Sequence, residues 1–263
     1  MLTQSLRKGI ILAGGHGKRL YPSTLATNKH LFLVCDKPMI YYPLSILMLG
    51  GIEEVLIITT PRDNKEFRNL LGDGKQWNLS ISYEEQSKPE GIAQSFLIAE
   101  KWLKNSNSVL ILGDNLFFGN GLPKLMKNVF SKKDGATIFL HKVIDPERYG
   151  VVELNDKKEI TNIIEKPKKF ISNWAVTGMY SYDNNAPLYV KDLKPSSRGE
   201  LEITDLNKIY LDEKNLSAEF LGQGFTWLDM GTHDSLIEAA NFVKIIESRQ
   251  GIRIADLDNL QSY

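Results

Sequence analysis

The sequence predicts an α/β fold: a Rossmann-like, mostly parallel mixed sheet flanked by helices and continued by a β-rich part. Three observations lead to it. Near-continuous apolar runs such as Val109-Leu110-Ile111-Leu112 suit strands of a parallel sheet covered on both faces. Helix-like segments separate most of these runs in the first half of the chain. After residue 143 the pattern changes to segments that read mainly as strands.

Taken in order, the first half offers strands at 8–14, 54–60, 81–86, 108–114 and 136–143. A helix is expected at 92–104, where Ile92, Phe96, Ala99 and Leu103 recur on one side. The second half offers strands at 150–155, 159–166, 174–183 and 217–223, with one clear helix at 201–212. A last helix is expected over about 233–248, with Ser235 and Glu238 at the spacing of a capping box. No linker, internal repeat or low-complexity segment divides the chain. A single domain over residues 1–263 follows, built from parts of about 1–143, 144–232 and 233–263.

Composition bounds the function. A 42% hydrophobic content furnishes a sizeable core. Basic and acidic residues balance at 32 each, so no overall charge recruits nucleic acid or an anionic membrane. Any anion site must be local. The single cysteine, Cys35, excludes an internal disulfide and a cysteine-based zinc cluster; it is expected as a packed small residue. No signal-peptide pattern opens the chain and no apolar run reaches spanning length, which predicts a cytoplasmic protein.

Residues 9–20 are the most informative stretch. An apolar strand ends in Gly14, Gly15 and Gly17, and Lys18 and Arg19 follow at once. Glycines let the backbone turn tightly and approach a ligand, and the N–H groups of such a turn form an anion-sized nest. The expected cargo is a polyphosphate. The P-loop pattern fails, because Leu12 stands where it needs glycine and Arg19 where it needs Ser or Thr. The dinucleotide fingerprint fails too: its third glycine falls on Leu20, and position 40 is isoleucine rather than acidic. Taken alone, the glycines suit an ordinary strand-to-helix turn equally well.

They do not stand alone. Asn28-Lys29-His30-Leu31, Asp36-Lys37-Pro38-Met39, Glu85-Gln86, Gly113-Asp114-Asn115, Glu165-Lys166-Pro167, Arg198-Gly199-Glu200-Leu201-Glu202-Ile203-Thr204 and Asp229-Met230-Gly231-Thr232 follow in that order. The set resembles the sugar-1-phosphate nucleotidyltransferases, and within them the thymidylyl-transferring members, from about residue 8 to about residue 245. The fold this implies is of the nucleotide-diphospho-sugar transferase type. It has a nucleotide-binding part up to about residue 143, a sugar-binding part to about 232 and a C-terminal helical segment. The implied substrates are dTTP and a sugar 1-phosphate, α-D-glucose 1-phosphate above all, giving dTDP-glucose for deoxysugar synthesis. UTP, another hexose 1-phosphate, or a sensor without turnover remain alternatives.

The chemistry is electrostatic. A phosphate monoester, with a second pKa near 6, is largely dianionic at neutral pH and needs no general base. The difficulty is bringing it to a tetra-anion, so positioning and charge neutralisation are required. The resemblance implies Arg19 and Lys29 on the triphosphate, and Lys166 and Arg198 on the sugar phosphate. It implies Asp114 and Asp229 as the carboxylates that hold Mg²⁺, a hard cation that takes one or two carboxylates plus substrate phosphates. Leu12, Gly14, Gly15, Gly17, Lys18 and Asp114 are implied around the nucleotide. Gln86 and Gly91 are implied at the base, where an amide can match N3–H and O4. Leu112, Tyr149, Gly150, Glu165 and Val176 are implied around the sugar, although Leu112 and Val176 suit core packing equally well. His141 and His233 have no spaced partner for a metal and read as structural.

Four positions depart from the usual family residues. Lys18 stands for threonine and adds a charge beside the phosphates. His30 stands for glutamine and is expected to titrate near neutrality. Leu33 replaces a proline, which loosens the loop after Lys29. Met230 replaces a threonine beside Asp229, which leaves the hydrogen bonding there in question. The chain stops soon after its last helix, where relatives of the long type carry a further helical segment. A regulatory nucleotide site is therefore left open, and a homo-oligomer is expected from the resemblance.

Overall fold

A computed structural model describes residues 7–260; the two ends of the expected domain, 1–6 and 261–263, lie outside them. The elements run β1 (Lys8–Ala13), β2 (Leu33–Val34), β3 (Lys37–Pro38), α1 (Tyr41–Leu49), β4 (Glu54–Thr59), α2 (Asn64–Leu71), β5 (Ser80–Glu85), α3 (Gln94–Leu103), β6 (Ser108–Leu112), β7 (Asn115–Gly119), α4 (Leu122–Phe130) and β8 (Ala136–Lys142). The second half adds β9 (Gly150–Leu154), β10 (Ile160–Glu165), β11 (Trp174–Tyr182), α5 (Ala186–Asp192), α6 (Ile203–Asp212), β12 (Leu216–Leu221), β13 (Phe225–Asp229) and α7 (His233–Gln250).

The main sheet orders its strands β10-β9-β11-β6-β1-β4-β5, with β8 on β11 and β12 beside β8. β5, β4, β1 and β6 are parallel, with Ile11 registered against Ile57 and Ile111. β11 joins β6 antiparallel, so the second half continues the same sheet. Successive side chains of a strand point to opposite faces, which explains the burial of neighbours in different clusters. Ile11 packs with Leu44, Leu47, Phe67 and Val129, whereas Ile10 packs with Phe96, Leu206 and Tyr210.

One element pair that periodicity missed matters most. β7 and β13 form a separate antiparallel ribbon, pairing Asn115 with Asp229 and Phe225 with Gly119. This ribbon brings two aspartate motifs 115 residues apart in sequence to one place.

Two expectations are corrected. The capping box of α7 is made by Thr232 and Ser235: Thr232 Oγ1 accepts from Ser235 N at 3.2 Å, and Ser235 Oγ accepts from Thr232 N at 3.0 Å. Glu238 therefore lies inside the helix. Cys35 is exposed. It occupies the turn between β2 and β3 with φ +60°, so it turns the chain rather than filling the core. No helix among the described residues is long and apolar enough to cross a membrane.

Candidate active site

The carboxyl ends of β1 and β6 sit side by side, and ligands of open α/β sheets bind beyond such ends. β1 delivers the glycine loop. Gly17 has φ +60° and opens a 3-10 turn that carries Lys18 and Arg19, both exposed. A left-handed residue is needed there, and glycine takes that conformation without steric cost. Gly15 lies near Lys29. Leu12 is the partly buried last-but-one residue of β1, whose carbonyl accepts from Gly113 N at 3.0 Å.

A cavity of about 590 Å³ opens beside this loop. Arg19, Asp114 and Asp229 line it. So do Lys166, Arg198 and Glu165, which neighbour one another, and Leu112, Tyr149, Gly150 and Val176. Ten of the expected residues thus share one space. Lys18, Lys29, Gln86, Gly91 and the loop glycines lie outside its lining. Lys29 nonetheless reaches it through its partner, because its ammonium forms an ion pair with Asp114 Oδ2.

Asp114 and Asp229 are held from several directions. Met230 N donates to the Asp114 carbonyl at 2.9 Å. Asn115 Nδ2 donates to Asp114 Oδ1 at 2.9 Å, while Asn115 Oδ1 accepts from Trp227 Nε1 at 2.6 Å and Gly178 N at 3.1 Å. One amide therefore ties β7 to β11 and β13. Met230 itself is fully buried with Leu116, Met39 and Val243; only its backbone serves the site, so the missing threonine hydroxyl has no bearing on that bond.

The two carboxyls differ in pKa. Burial works to raise that of Asp114, but the Lys29 ammonium and the Asn115 amide hold it below the usual range. Burial and then the Asp114 charge push Asp229 up to about 6, against the pull of Lys29, Arg19 and Arg148. Arg148 Nη2 stands 3.7 Å from Asp229 Oδ2. A buried and a partly buried carboxylate that repel each other suit a hard divalent cation.

Where the sugar is expected, the cavity holds a carboxylate network. Glu165 Oε2 accepts from Thr204 Oγ1 at 2.6 Å, and its Oε1 lies 3.3 Å from Arg198 Nη2 and 4.0 Å from Lys166 Nζ. Arg198 is gripped by Glu202, through Nε at 3.1 Å and Nη2 at 2.7 Å. Lys166 takes φ +44° and donates its backbone N–H to the Tyr149 carbonyl at 2.9 Å. Burial, then the Asp229 charge, pushes the Tyr149 phenol up to about 12, so it stays protonated.

Several lining residues escaped the sequence reading. Trp227, Thr204 and Ile92 line the same cavity. Thr204 belongs to the motif that begins at Arg198, so a signal was present; Trp227 sits in a strand that periodicity did not reveal.

His30 overturns an expectation. It is buried, at 2% exposure. Asn28 Nδ2 donates to Asp63 Oδ2 at 2.8 Å, so Asn28 Oδ1 faces His30 and takes the Nδ1 proton at 2.7 Å. Burial, helped by the Lys29 charge, pushes the imidazole down to about 3. It is neutral at pH 7. Of the other histidines, His141 Nε2 lies 3.2 Å from the Phe225 carbonyl and His233 Nε2 3.4 Å from that of Tyr21.

Gln86, expected at the base, is 3% exposed. Its amide nitrogen donates to Gln94 Oε1 at 2.7 Å and, at 3.4 Å, to the Gly91 carbonyl. That leaves Oε1, which lies against Gly14. Gly91 has φ +108°, and a Cβ there would stand 2.3 Å from the Leu201 carbonyl oxygen. Its lack of a side chain is required by that chain crossing.

Sheet, glycine loop and paired aspartates define a class that moves nucleotidyl groups, and the comparisons agree. The nucleotidyl transferase family matches residues 8–245, and the chain belongs to it. A Neisseria meningitidis serogroup A protein named glucose-1-phosphate thymidylyltransferase is 53% identical over 253 residues, covering 96% of this chain and 88% of its own length. A Xanthomonas campestris pv. campestris protein of the same name is 54% identical over 248 residues, 94% of this chain and 84% of its own. Among solved structures, a UDP-glucose pyrophosphorylase complexed with UDP-glucose superimposes with a TM-score of 0.80 at 25% identity, covering 93% of this chain and 100% of its own.

Proposed function

We propose that this chain transfers a thymidylyl group from dTTP to α-D-glucose 1-phosphate, giving dTDP-glucose and pyrophosphate. The observation that carries it is one cavity lined together by Arg19, Asp114, Asp229, Lys166, Arg198 and Glu165. Relatives at 53–54% identity are named for this reaction.

A phosphate oxygen of the sugar phosphate attacks the α-phosphorus of dTTP in line. The bond from that phosphorus to the bridging oxygen breaks, and pyrophosphate leaves with the electron pair. Lys166 and Arg198 hold the attacking phosphate, while Arg19 and Lys29 bind the triphosphate and take up charge on the leaving group. The glycine loop supplies backbone donors, which are most effective where water is excluded. Glu165, fixed by Thr204, accepts from sugar hydroxyls; a site built to hydrogen-bond a hydroxyl discriminates strongly against its absence. Asp114 and Asp229 would hold Mg²⁺, which supplies charge neutralisation for the phosphates.

Gln86 meets the base. Thymine and uracil differ by one methyl, worth about 1 kcal/mol, so dTTP preference with measurable UTP use is expected. Pyrophosphate release across a panel of nucleoside triphosphates and hexose 1-phosphates, with magnesium, tests the reading. The dTTP and glucose 1-phosphate pair should be fastest. Strict use of UTP, or no release with any pair, overturns it.

A further inference from the structure

We infer that Gln94 and Glu90 are positioning residues for base selection: they lock the Gln86 amide so that its oxygen alone faces the nucleotide. This rests on the reading of Gln86 as the group that meets the base. The order of oxygen and nitrogen along the relay is dictated by groups that have no choice of role. The Glu90 carboxylate can only accept, and it takes a hydrogen bond from Gln94 Nε2 at 2.8 Å. The Glu90 backbone N–H can only donate, and it gives one to Gln94 Oε1 at 3.2 Å. The Gln94 oxygen is thereby turned towards Gln86 and takes its amide nitrogen at 2.7 Å. The Gly91 carbonyl, also acceptor-only, lies on the same nitrogen at 3.4 Å.

Gln86 Oε1 is consequently driven towards the glycine loop, where a Cβ on Gly14 would stand 2.3 Å from it. The relay is anchored. Leu201 N donates to the Glu90 carbonyl at 2.7 Å, and Ala93 N to the Leu201 carbonyl at 3.2 Å. An acceptor at that place matches a pyrimidine whose ring N3 carries a hydrogen, as in thymine and uracil. Cytosine presents a lone pair at N3, so two acceptors would face each other, with neither paired. If Gln86 were free to rotate, it would offer its NH₂ to cytosine instead.

The test is the ratio of kcat/KM for dTTP to that for dCTP, measured on the full chain with magnesium and glucose 1-phosphate. Gln94→Leu removes the lock and should lower the ratio by about tenfold or more, with the KM for glucose 1-phosphate unchanged. The exchange Glu90→Gln with Gln94→Glu places a carboxylate beside the Gln86 nitrogen and an amide donor opposite it. It should keep the ratio within about threefold of the parent. A Gln94→Leu ratio equal to the parent's overturns the inference, as does an exchange variant as unselective as Gln94→Leu. Gln86→Leu separates the two readings. If it lowers the ratio while Gln94→Leu does not, only the relay fails; if it too leaves the ratio unchanged, base reading by Gln86 fails with it.

Discussion

His30 shows how one side chain acquires a role its type does not announce. An unperturbed histidine titrates near 6.5, but here burial, seconded by Lys29, moves the folded value down to about 3. Between those values the unfolded chain binds a proton that the folded chain refuses, so stability rises with pH across that window. It falls as pH drops below 6.5, by about 1.4 kcal/mol per unit. His30→Gln removes that dependence. Urea unfolding at pH 7 and pH 5.5 should therefore show a smaller loss in the variant than in the parent; equal losses would mean the imidazole is not what the acid side reports. Lys18 is the opposite case, an exposed cation beside Arg19 whose charge is well screened. Lys18→Thr should raise the KM for dTTP by roughly two- to fivefold, the range of exposed charge pairs, with kcat unaltered. Identical steady-state constants would remove Lys18 from the phosphate site.

Elements differ in how plainly they can be read. β1, β4 and β6 were legible because strands covered on both faces are apolar at nearly every position. β7 and β13 were not, because Asn115 to Gly119 and Phe225 to Asp229 mix apolar packing with side chains that serve the site, and neither alternates cleanly. The ordered motifs still led to Asp114 and Asp229; what they could not supply was the ribbon that seats them together. The cap of α7 was misplaced for a related reason. Ser235 and Glu238 have the preferred residue types, yet Thr232 ends the extended chain, and conformation decides a cap. Met230 tests the ribbon. Met230→Thr restores the residue usual in the family, but it puts a hydroxyl among Leu116, Met39 and Val243. Burying a hydroxyl without a partner costs about 1–3 kcal/mol. Chemical denaturation should show that loss, and a Met230→Leu variant, which conserves volume, should show less of it. A neutral Met230→Thr would mean the hydroxyl finds a partner near Asp229 after all.

At the scale of the whole molecule, the zero net charge is mirrored inside the cavity. Lys29 is spent on Asp114, Arg198 on Glu202 and Glu165, and Arg148 on Asp145 and Asp229. The exposed Lys18 and Arg19 remain for a first encounter with phosphates, while Lys29, Arg148, Arg198 and Lys166 already stand against carboxylates. Under the proposed reading, full seating of the triphosphate would proceed by exchange of partners. On the proposed mechanism, phosphates would take the ammonium and guanidinium groups, and a divalent ion would take the carboxylates those groups release. Neither half of the exchange would be complete alone, because Lys29 drawn away would leave the buried Asp114 carboxylate uncompensated beside Asp229, a costly state. Nucleotide and metal would then bind cooperatively, and by linkage each would strengthen the other equally. Calorimetric titration of dTTP should show an affinity at least about tenfold lower in EDTA than in millimolar magnesium, a coupling of roughly 1.4 kcal/mol or more. Asp229→Asn should erase most of that difference while leaving weak binding in EDTA. Equal affinities with and without metal in the parent would show that the cations bind the triphosphate unaided and that the exchange does not occur.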